Sequence, residues 1–532
     1  MKVYEVVADT LSEAGFKYAY TIPGTHIYHL NHSLNLVQRD FRHEMGVSFA
    51  ADAYARVNGE PGLAIVTAGP GMLNGLSGLG QAYAEASPML YISGETSRDE
   101  FHAFHGVDKP LAISSSSDPV VKNRYILDTS SPDRRVRDAV REALEGRRGP
   151  IHISIPYDVL TSDVSSTDGA GEIEGYVYGD LLERHITERF SRGRNLLLIG
   201  PELYVEYAEE ILDILGDWIY ISTAAQIGLG GVRHDRYAGH IEKSFQIHPT
   251  AAYVVSNSDK ILALGLPENS PEIELLHKHN PSLEIDVYRP SMREEIYRYR
   301  YGYVYRAPIE ELLNALSQID TDLDVDVVSK HVERLTLVED IISRERGRLI
   351  HQGDIAATLS RLDIDNYIVT CDTGGNEQWI REFLPYRRNV RYLYSGGFGS
   401  IGYSLPAGIG AYDAGKSYRG VLTVAGDGSL LMSLGELNTV AKHNIPIKII
   451  VFNDSRYGIL EMLSQDDIGE KIDGGLGHVD FSKIAGAVGL DAIQVDRGEE
   501  LEGALRDLLR SRGPILLDIV SSGEEVPTLL RR

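Results

Sequence analysis

Two carboxylates in this chain could do chemistry together, Asp427 and Asp454. Asp427 lies in Gly426-Asp427-Gly428-Ser429, and Asp454 follows 27 residues later at the end of Val451-Phe452-Asn453-Asp454. Carboxylates are hard oxygen donors of the kind Mg²⁺ takes, and the metal can in turn hold a diphosphate. The apolar run over 421–425 predicts a buried parallel strand, with Gly-Asp-Gly as a tight turn behind it. A helix-like run over 434–441 follows, and then a second apolar strand over 447–452. Both carboxylates are therefore expected at the carboxyl ends of neighbouring parallel strands, where α/β sheets bind ligands. Gly-Asp-Gly alone is only a turn. The strand–helix–strand frame around it gives the pair its meaning.

Three α/β blocks supply that frame. The first spans 1–163, with strands expected near 18–22, 63–67, 89–93 and 151–155. Residues 164–190 read as a linker, because the stretch 161–180 is rich in Ser, Asp, Gly and Glu. A middle block covers 191–325, with strands near 195–199, 218–222, 260–265 and 282–286. A charged helical connector covers 326–350, and a third block, 351–532, carries the two carboxylates. Strands alternating with helical patterns imply mostly parallel sheets, an α/β fold of three consecutive domains.

Composition narrows the function classes. A chain of 532 residues exceeds what one core supports. A 43% hydrophobic content and a mean hydropathy of −0.17 are those of a globular protein. The net charge of −25 argues against nucleic acid and anionic membranes. No apolar run is long enough to span a bilayer, the start is unlike a signal peptide, and a single cysteine, Cys371, suits a reducing compartment. A cytoplasmic enzyme is expected. Cys371 lies in an apolar run and reads as a small core residue rather than a nucleophile.

A second set of residues lies in the first block. His43-Glu44-Met45-Gly46 opens a helical run that reaches Arg56, and Thr67-Ala68-Gly69-Pro70-Gly71-Met72-Leu73-Asn74 follows a strand. Taken with the Gly-Asp-Gly … Asn-Asp pattern, these resemble the thiamine-diphosphate (ThDP) enzymes of the acetohydroxyacid (acetolactate) synthase and 2-oxo acid decarboxylase family. The resemblance extends over nearly the whole chain. It implies Asp427, Asp454 and the backbone carbonyl of Arg456 as metal ligands for Mg²⁺, with Asp454 standing where Asn is usual. It implies Glu44 as the acid that hydrogen-bonds the cofactor's pyrimidine and controls its tautomer. Thr67, Pro70, Gly71 and Asn74 would approach the same ring. Gly375 and Asn376 occupy the places of diphosphate contacts, and Gly426, Gly428, Ser429, Tyr457 and Gly458 complete the cofactor-binding set. Gly399 would accept from the exocyclic amine through its carbonyl, and Ile401 would wedge between the two cofactor rings. Gly397, Gly399 and Gly402 also form a Gly-x-Gly-x-x-Gly pattern behind a strand, which keeps a nicotinamide dehydrogenase open as a rival reading.

On the substrate side, Phe104-His105-Gly106-Val107-Asp108 resembles a Phe-Gln-Glu-Val-Asp stretch of the synthases, with His105 in place of the Gln. A histidine there could shuttle protons near neutral pH; His102 reads as a surface residue. Thr25 takes the place of the family's acid or serine, and His26 beside it could act instead. Glu461 is one residue away from where decarboxylases carry an acid. The middle block has Leu264-Gly265-Leu266-Pro267-Glu268-Asn269 where the synthases have an acceptor-binding arginine, and it carries no flavin-binding pattern, so no FAD is expected.

What the resemblance implies is decarboxylation of a 2-oxo acid followed by ligation to a second carbonyl, acetolactate-synthase-like. A non-ligating decarboxylase and a 2-hydroxyacyl-CoA-type lyase remain open, as does a ThDP-binding homologue without turnover. Partners would be small 2-oxo acids and carbonyl compounds, with no nucleic acid or membrane. The chain would form a homodimer or homotetramer, with the active site shared between subunits.

Overall fold

The computed structural model describes residues 1–522 except 100–103, 108–112, 166–180, 204, 224–234, 243–245, 292–294, 346–348, 385, 386, 388 and 416. It contains three sheets. The first has strands β1 (Tyr18–Thr21), β2 (Val37–Asp40), β3 (Gly62–Val66), β4 (Met89–Glu95), β5 (Asn123–Ile126) and β6 (Pro150–Pro156). Their order is β2-β1-β3-β4-β6-β5, and every pair is parallel. β3, β4 and β6 are buried along their whole length, as expected of parallel strands covered on both faces.

The second sheet comprises β7 (Asn195–Ile199), β8 (Tyr220–Thr223), β9 (Tyr237–Glu242), β10 (Gln246–Ile247), β11 (Lys260–Leu264), β12 (Glu284–Pro290), β13 (Glu295–Arg298) and β14 (Tyr303–Ala307). It is parallel except for the edge pairs β10–β9 and β13–β14. The third sheet has β15 (Ile350–His351), β16 (Tyr367–Cys371), β17 (Arg391–Tyr394), β18 (Gly420–Gly426), β19 (Lys448–Asn453), β20 (Asp491–Val495) and β21 (Ile515–Ser522). Its path is β15-β21-β19-β18-β16-β17, with β20 on β21, all parallel. The α/β class and the mostly parallel sheets agree with the sequence reading.

The chain divides into two compact units. One holds residues 1–176 together with 398–417 and 433–447; the other holds 177–397, 418–432 and 448–532. Two segments of the expected third block thus pack with the first block. The reason lies in the helix Glu44–Asn58, whose Phe49-Ala50-Ala51-Asp52-Ala53-Tyr54-Ala55 stretch is buried on all sides. Small residues let backbone approach backbone. A Cβ placed on Gly62 of β3 would lie 2.0 Å from the Ala51 carbonyl oxygen, and one on Gly410 of the helix Ser404–Ala414 would lie 2.0 Å from that of Ala50. A polar lock joins the same two helices. Tyr403 Oη donates to buried Asp52 at 2.9 Å, and Arg56 Nη1 reaches the same hydroxyl at 3.2 Å.

Three expectations need correction. The stretch assigned to the linker contains the helix Leu181–Phe190, and Leu182, Ile186 and Phe190 are core residues of the middle block. Gly426-Asp427-Gly428 is no turn: β18 passes directly into a short helix, Asp427–Met432. The glycine run behind β17 does not open a helix in the manner of a dinucleotide site. Gly396, Gly399 and Gly402 take positive φ, and the helix starts only at Ser404. No described helix is long and apolar enough to cross a membrane.

Candidate active site

The residues singled out from the sequence fall into two groups, one in each unit. In the second unit, β18 and β19 are parallel neighbours, with Gly426 opposite Phe452, so Asp427 and Asp454 leave adjacent strand ends. Asp427 is buried and accepts the backbone N–H of Gly428 at 2.7 Å, with the N–H groups of Ser455 and Arg456 also facing its carboxylate. Ser455 takes a positive φ of 61°, a strained conformation for a residue with a Cβ. Burial and the neighbouring Asp454 push the Asp427 carboxyl up to about 7. Burial raises Asp454 to about 6, against the pull of Arg456, which lies 3.4 Å away.

Burial is the main reason both carboxyls stand above their ordinary range, and a bound cation would favour their charged forms. The described residues contain no cluster of three or more His, Cys, Asp or Glu suited to a metal. The donor set is thus two carboxylates plus whatever backbone, water or phosphate oxygens join them. That is the pattern Mg²⁺ takes with phosphate ligands.

The surrounding residues are shaped for close approach. Tyr457 lies over Gly428, where an added Cβ would meet its ring at 2.4 Å. Ser429 is buried, and Gly458 begins the helix Gly458–Ile468. Gly375 begins the helix Gly375–Phe383 at the end of β16, so its first-turn N–H groups can receive an anion. Asn376 is turned inward: its amide donates to the Asp372 carbonyl at 3.1 Å and touches the Cys371 sulfur. Its phosphate contact would come from the backbone. Cys371 is buried, free and pushed well up by burial, as a core thiol should be. Trp379 is fully buried and packs against His351.

In the first unit, Glu44 opens its helix, with His43 Nδ1 accepting from Met45 N at 3.1 Å as the cap. Glu44 Oε2 accepts from Asn74 Nδ2 at 3.0 Å, and a Cβ on Gly71 would lie 3.2 Å from Oε1. Thr67, just after β3, and the short helix Pro70–Asn74 therefore wrap this carboxylate. Thr67 Oγ1 is buried without a hydrogen-bond partner among the described residues, a group suited to a polar ligand atom. Gly399 has a φ of 70° and open space where a Cβ would stand, Ile401 is half-buried, and Phe398 beside them is exposed.

The substrate-side residues gather in the same unit. His26 and His105 have ring centroids 5.3 Å apart, and Thr25 Oγ1 lies 3.2 Å from His26 Nδ1. Burial and the His105 charge lower the His26 pKa. His105 adopts a φ of 69°, and its carbonyl occupies the space a Cβ on Gly69 would need. Its Nδ1 lies 3.2 Å from the Ala68 carbonyl; that oxygen can only accept, so Nδ1 is the donor in this bond and Nε2 is the ring nitrogen it does not engage. His102 and Asp108 lie outside the described residues.

Sequence reasoning missed the Asp52–Tyr403–Arg56 lock. Its signal was an acid and a base four apart in an otherwise small-residue helix. It also passed over Arg289 in the middle block, whose guanidinium grips Glu202 at 2.9 and 3.1 Å and Glu268 at 3.3 Å. Glu461 lies 3.4 Å from Arg456 in an ion pair.

Parts of this chain are similar to known proteins. Residues 1–114 match the family model "Thiamine pyrophosphate enzyme, N-terminal TPP binding domain", and residues 372–519 match its C-terminal TPP binding domain. Thiamine pyrophosphate is another name for thiamine diphosphate. Among curated proteins, the acetolactate synthase large subunit of Porphyra purpurea is 29% identical over 506 residues, covering 90% of this chain and 83% of that protein. The probable acetolactate synthase large subunit of Methanocaldococcus jannaschii is 26% identical over 557 residues, covering 98% and 92%.

Proposed function

Since this chain belongs to the thiamine pyrophosphate enzymes, with both cofactor-binding domains present, we propose that it decarboxylates a 2-oxo acid and joins the remaining acyl unit to a second carbonyl compound. The observation that carries the reading is Glu44, a buried carboxylate at a helix start with one oxygen held by Asn74. Bound ThDP would supply the carbon nucleophile and the sink for the electrons released as CO₂ leaves. Asp427 and Asp454 would hold the Mg²⁺ that carries the diphosphate. Asn74 fixes one oxygen of Glu44, leaving the other to exchange a proton with the pyrimidine ring. Gly399 and Ile401 would border the cofactor's bend, and Thr67, Pro70 and Gly71 its ring. His105, its Nδ1 engaged by the Ala68 carbonyl, would use Nε2 to exchange or orient a proton near the reacting carbonyl, with His26 and Thr25 beside it.

A shared site in a homodimer or tetramer is part of this reading, since Glu44 and Asp427 belong to different units of the chain. So is a cytoplasmic setting, supported by the single buried thiol. One observation favours a second reading. Arg289 and Arg306, the arginines beside Glu268 in the segment where the synthases have theirs, are already paired with Glu202, Glu268 and Glu295. That suits a non-ligating decarboxylase or a lyase better than a synthase. The test is product analysis with ThDP and Mg²⁺ across a panel of 2-oxo acids, with and without aldehyde acceptors, for wild type and Glu44→Gln. Ligated product from wild type and its loss in Glu44→Gln support the first reading. Free aldehyde alone selects the second, and equal turnover by the two proteins refutes the role of Glu44.

A further inference from the structure

The strongest uncommitted feature is a buried acid beside the start of the Glu44 helix. Glu436 is 1% exposed and opens the helix Glu436–His443, which packs in the same unit as Glu44. Its Oε1 accepts the backbone N–H of Arg42 at 3.0 Å and of His43 at 3.1 Å. Its Oε2 accepts from Thr439 Oγ1 at 2.6 Å, with the Arg42 N–H at 3.3 Å. These two amides are the last before the helix that Glu44 begins. Gly46, one turn in, leaves the carboxylate its room: a Cβ there would stand 3.0 Å from Glu436 Oε1.

The rest of the Glu436 helix closes on the same corner. Asn438 accepts from Arg42 Nε at 2.8 Å, Lys442 and His443 reach the Asp40 carboxylate at 2.6 and 2.7 Å, and a Cβ on Gly435 would meet Arg42 Cβ at 3.0 Å. Removing a carboxylate from water is costly unless its oxygens are paired, and here the chain gives it two backbone donors and one hydroxyl. Burial still leaves the Glu436 carboxyl near 7. Fixing the backbone at residues 42 and 43 fixes where the next residue, Glu44, sets its Cα. Asn74 and Gly71 fix only the far end of that side chain.

We propose that Glu436 is a positioning residue for Glu44, holding the first turn of its helix so that the carboxylate meets the cofactor at the distance proton transfer requires. The proposal rests on the reading of Glu44 given above. Both amides converge on Oε1, an atom that glutamine retains, and the Thr439 hydroxyl can turn to accept from a glutamine amide. Glu436→Gln therefore preserves the anchor, and Glu436→Ala removes it.

The experiment compares wild type, Glu436→Gln, Glu436→Ala, Glu436→Met and Glu44→Gln. Two quantities are read: amide hydrogen exchange at residues 42 and 43 in the cofactor-free protein, and hydrogen–deuterium exchange at C2 of ThDP bound with Mg²⁺. A shift of about 1 Å at a reacting group can cost about 100-fold in rate, so Glu436→Ala is expected to slow C2 exchange at least about tenfold. It should also deprotect both amides while leaving the KM for the 2-oxo acid and the ThDP-induced melting shift unchanged. Glu436→Gln should stay within about threefold of wild type, since it keeps the acceptor. Wild-type C2 exchange in Glu436→Ala overturns the proposal, and so does Glu436→Gln as slow as Glu436→Ala, because charge rather than position would then matter. If Glu436→Ala does not fold, Glu436→Met carries the test: it fills the space but offers the Arg42 and His43 amides no acceptor, and unchanged C2 exchange there overturns the proposal. Glu44→Gln separates the two levels. Slow exchange in it beside normal exchange in Glu436→Ala refutes positioning alone, whereas normal exchange in both refutes the reading of Glu44 itself.

Discussion

Gly410→Ala sets two effects of opposite sign against each other at the helix pair that carries Glu44. Ala is favoured over Gly in a helix interior by about 1 kcal/mol. At position 410, however, the new methyl would stand 2.0 Å from the Ala50 oxygen, 2.7 Å from its carbon and 2.9 Å from its Cα. These are backbone atoms, so no side chain can swing aside, and on the other flank Gly62 already abuts the Ala51 carbonyl at the same distance. The two helices must separate by roughly 1 Å, and with three backbone atoms inside 3.0 Å the overpacking cost lies at the upper end of its usual range, about 2–3 kcal/mol. The steric term wins, for a net loss of about 1–2 kcal/mol. At about 2–4 °C per kcal/mol, the melting temperature should fall by about 2–8 °C. Gly503→Ala is the control, because Gly503 lies in the exposed face of the helix Gly498–Arg510 with nothing within 4 Å of an added Cβ. That change should stabilise by about 1 kcal/mol. Calorimetry of both variants beside wild type decides the matter. If Gly410→Ala melts as high as Gly503→Ala, the helices do not meet backbone to backbone, and the account of why residues 398–417 pack with the first block fails.

Asp427→Ala should abolish the rise in melting temperature that ThDP with Mg²⁺ gives wild type, since a ligand of the native state stabilises it by mass action; equal shifts in the two proteins would show that the metal lies elsewhere. His105→Gln should keep that shift but change the ratio of ligated product to free aldehyde from pyruvate, and an unchanged ratio at unchanged rates would put His105 outside the site. Burial pushes the Asp40 carboxyl up, but Lys442, His443 and Arg42 together hold it down at about 2. With a folded pKa below the ordinary value of about 3.9, its stabilising contribution is complete above that value and is lost as pH falls through 2. The melting difference between wild type and Asp40→Asn should therefore be full at pH 6 and shrink between pH 4 and 2; a difference constant with pH would deny the ion pairs a role. Finally, mixed Glu44→Gln and Asp427→Ala chains should recover part of the activity that each lacks alone, whereas a fully active monomer by light scattering would argue against a shared site.

The fold class and the strand ends that carry the candidate metal ligands were legible because their signals are local. Two apolar runs, one ending in Gly-Asp-Gly and the other in Asn-Asp, read as neighbouring strands, and β18 and β19 lie side by side with Asp427 and Asp454 at their tips. The alternation of strands and helices likewise implies parallel sheets, and the sheets are mostly parallel. What the sequence left undecided was which distant segments choose each other. Nothing local marks Ala50 as the place where Gly410 must fit, or Tyr403 as the partner of Asp52, because those pairings depend on shape complementarity across 350 or more residues. The same holds for Glu436, an ordinary acid at a helix start until folding brings the Arg42 and His43 amides to its carboxylate. Residue type and spacing set which groups could bind a metal or move a proton. Tertiary packing alone decided their neighbours, and the neighbours set their burial, their charge and the distance over which they can act.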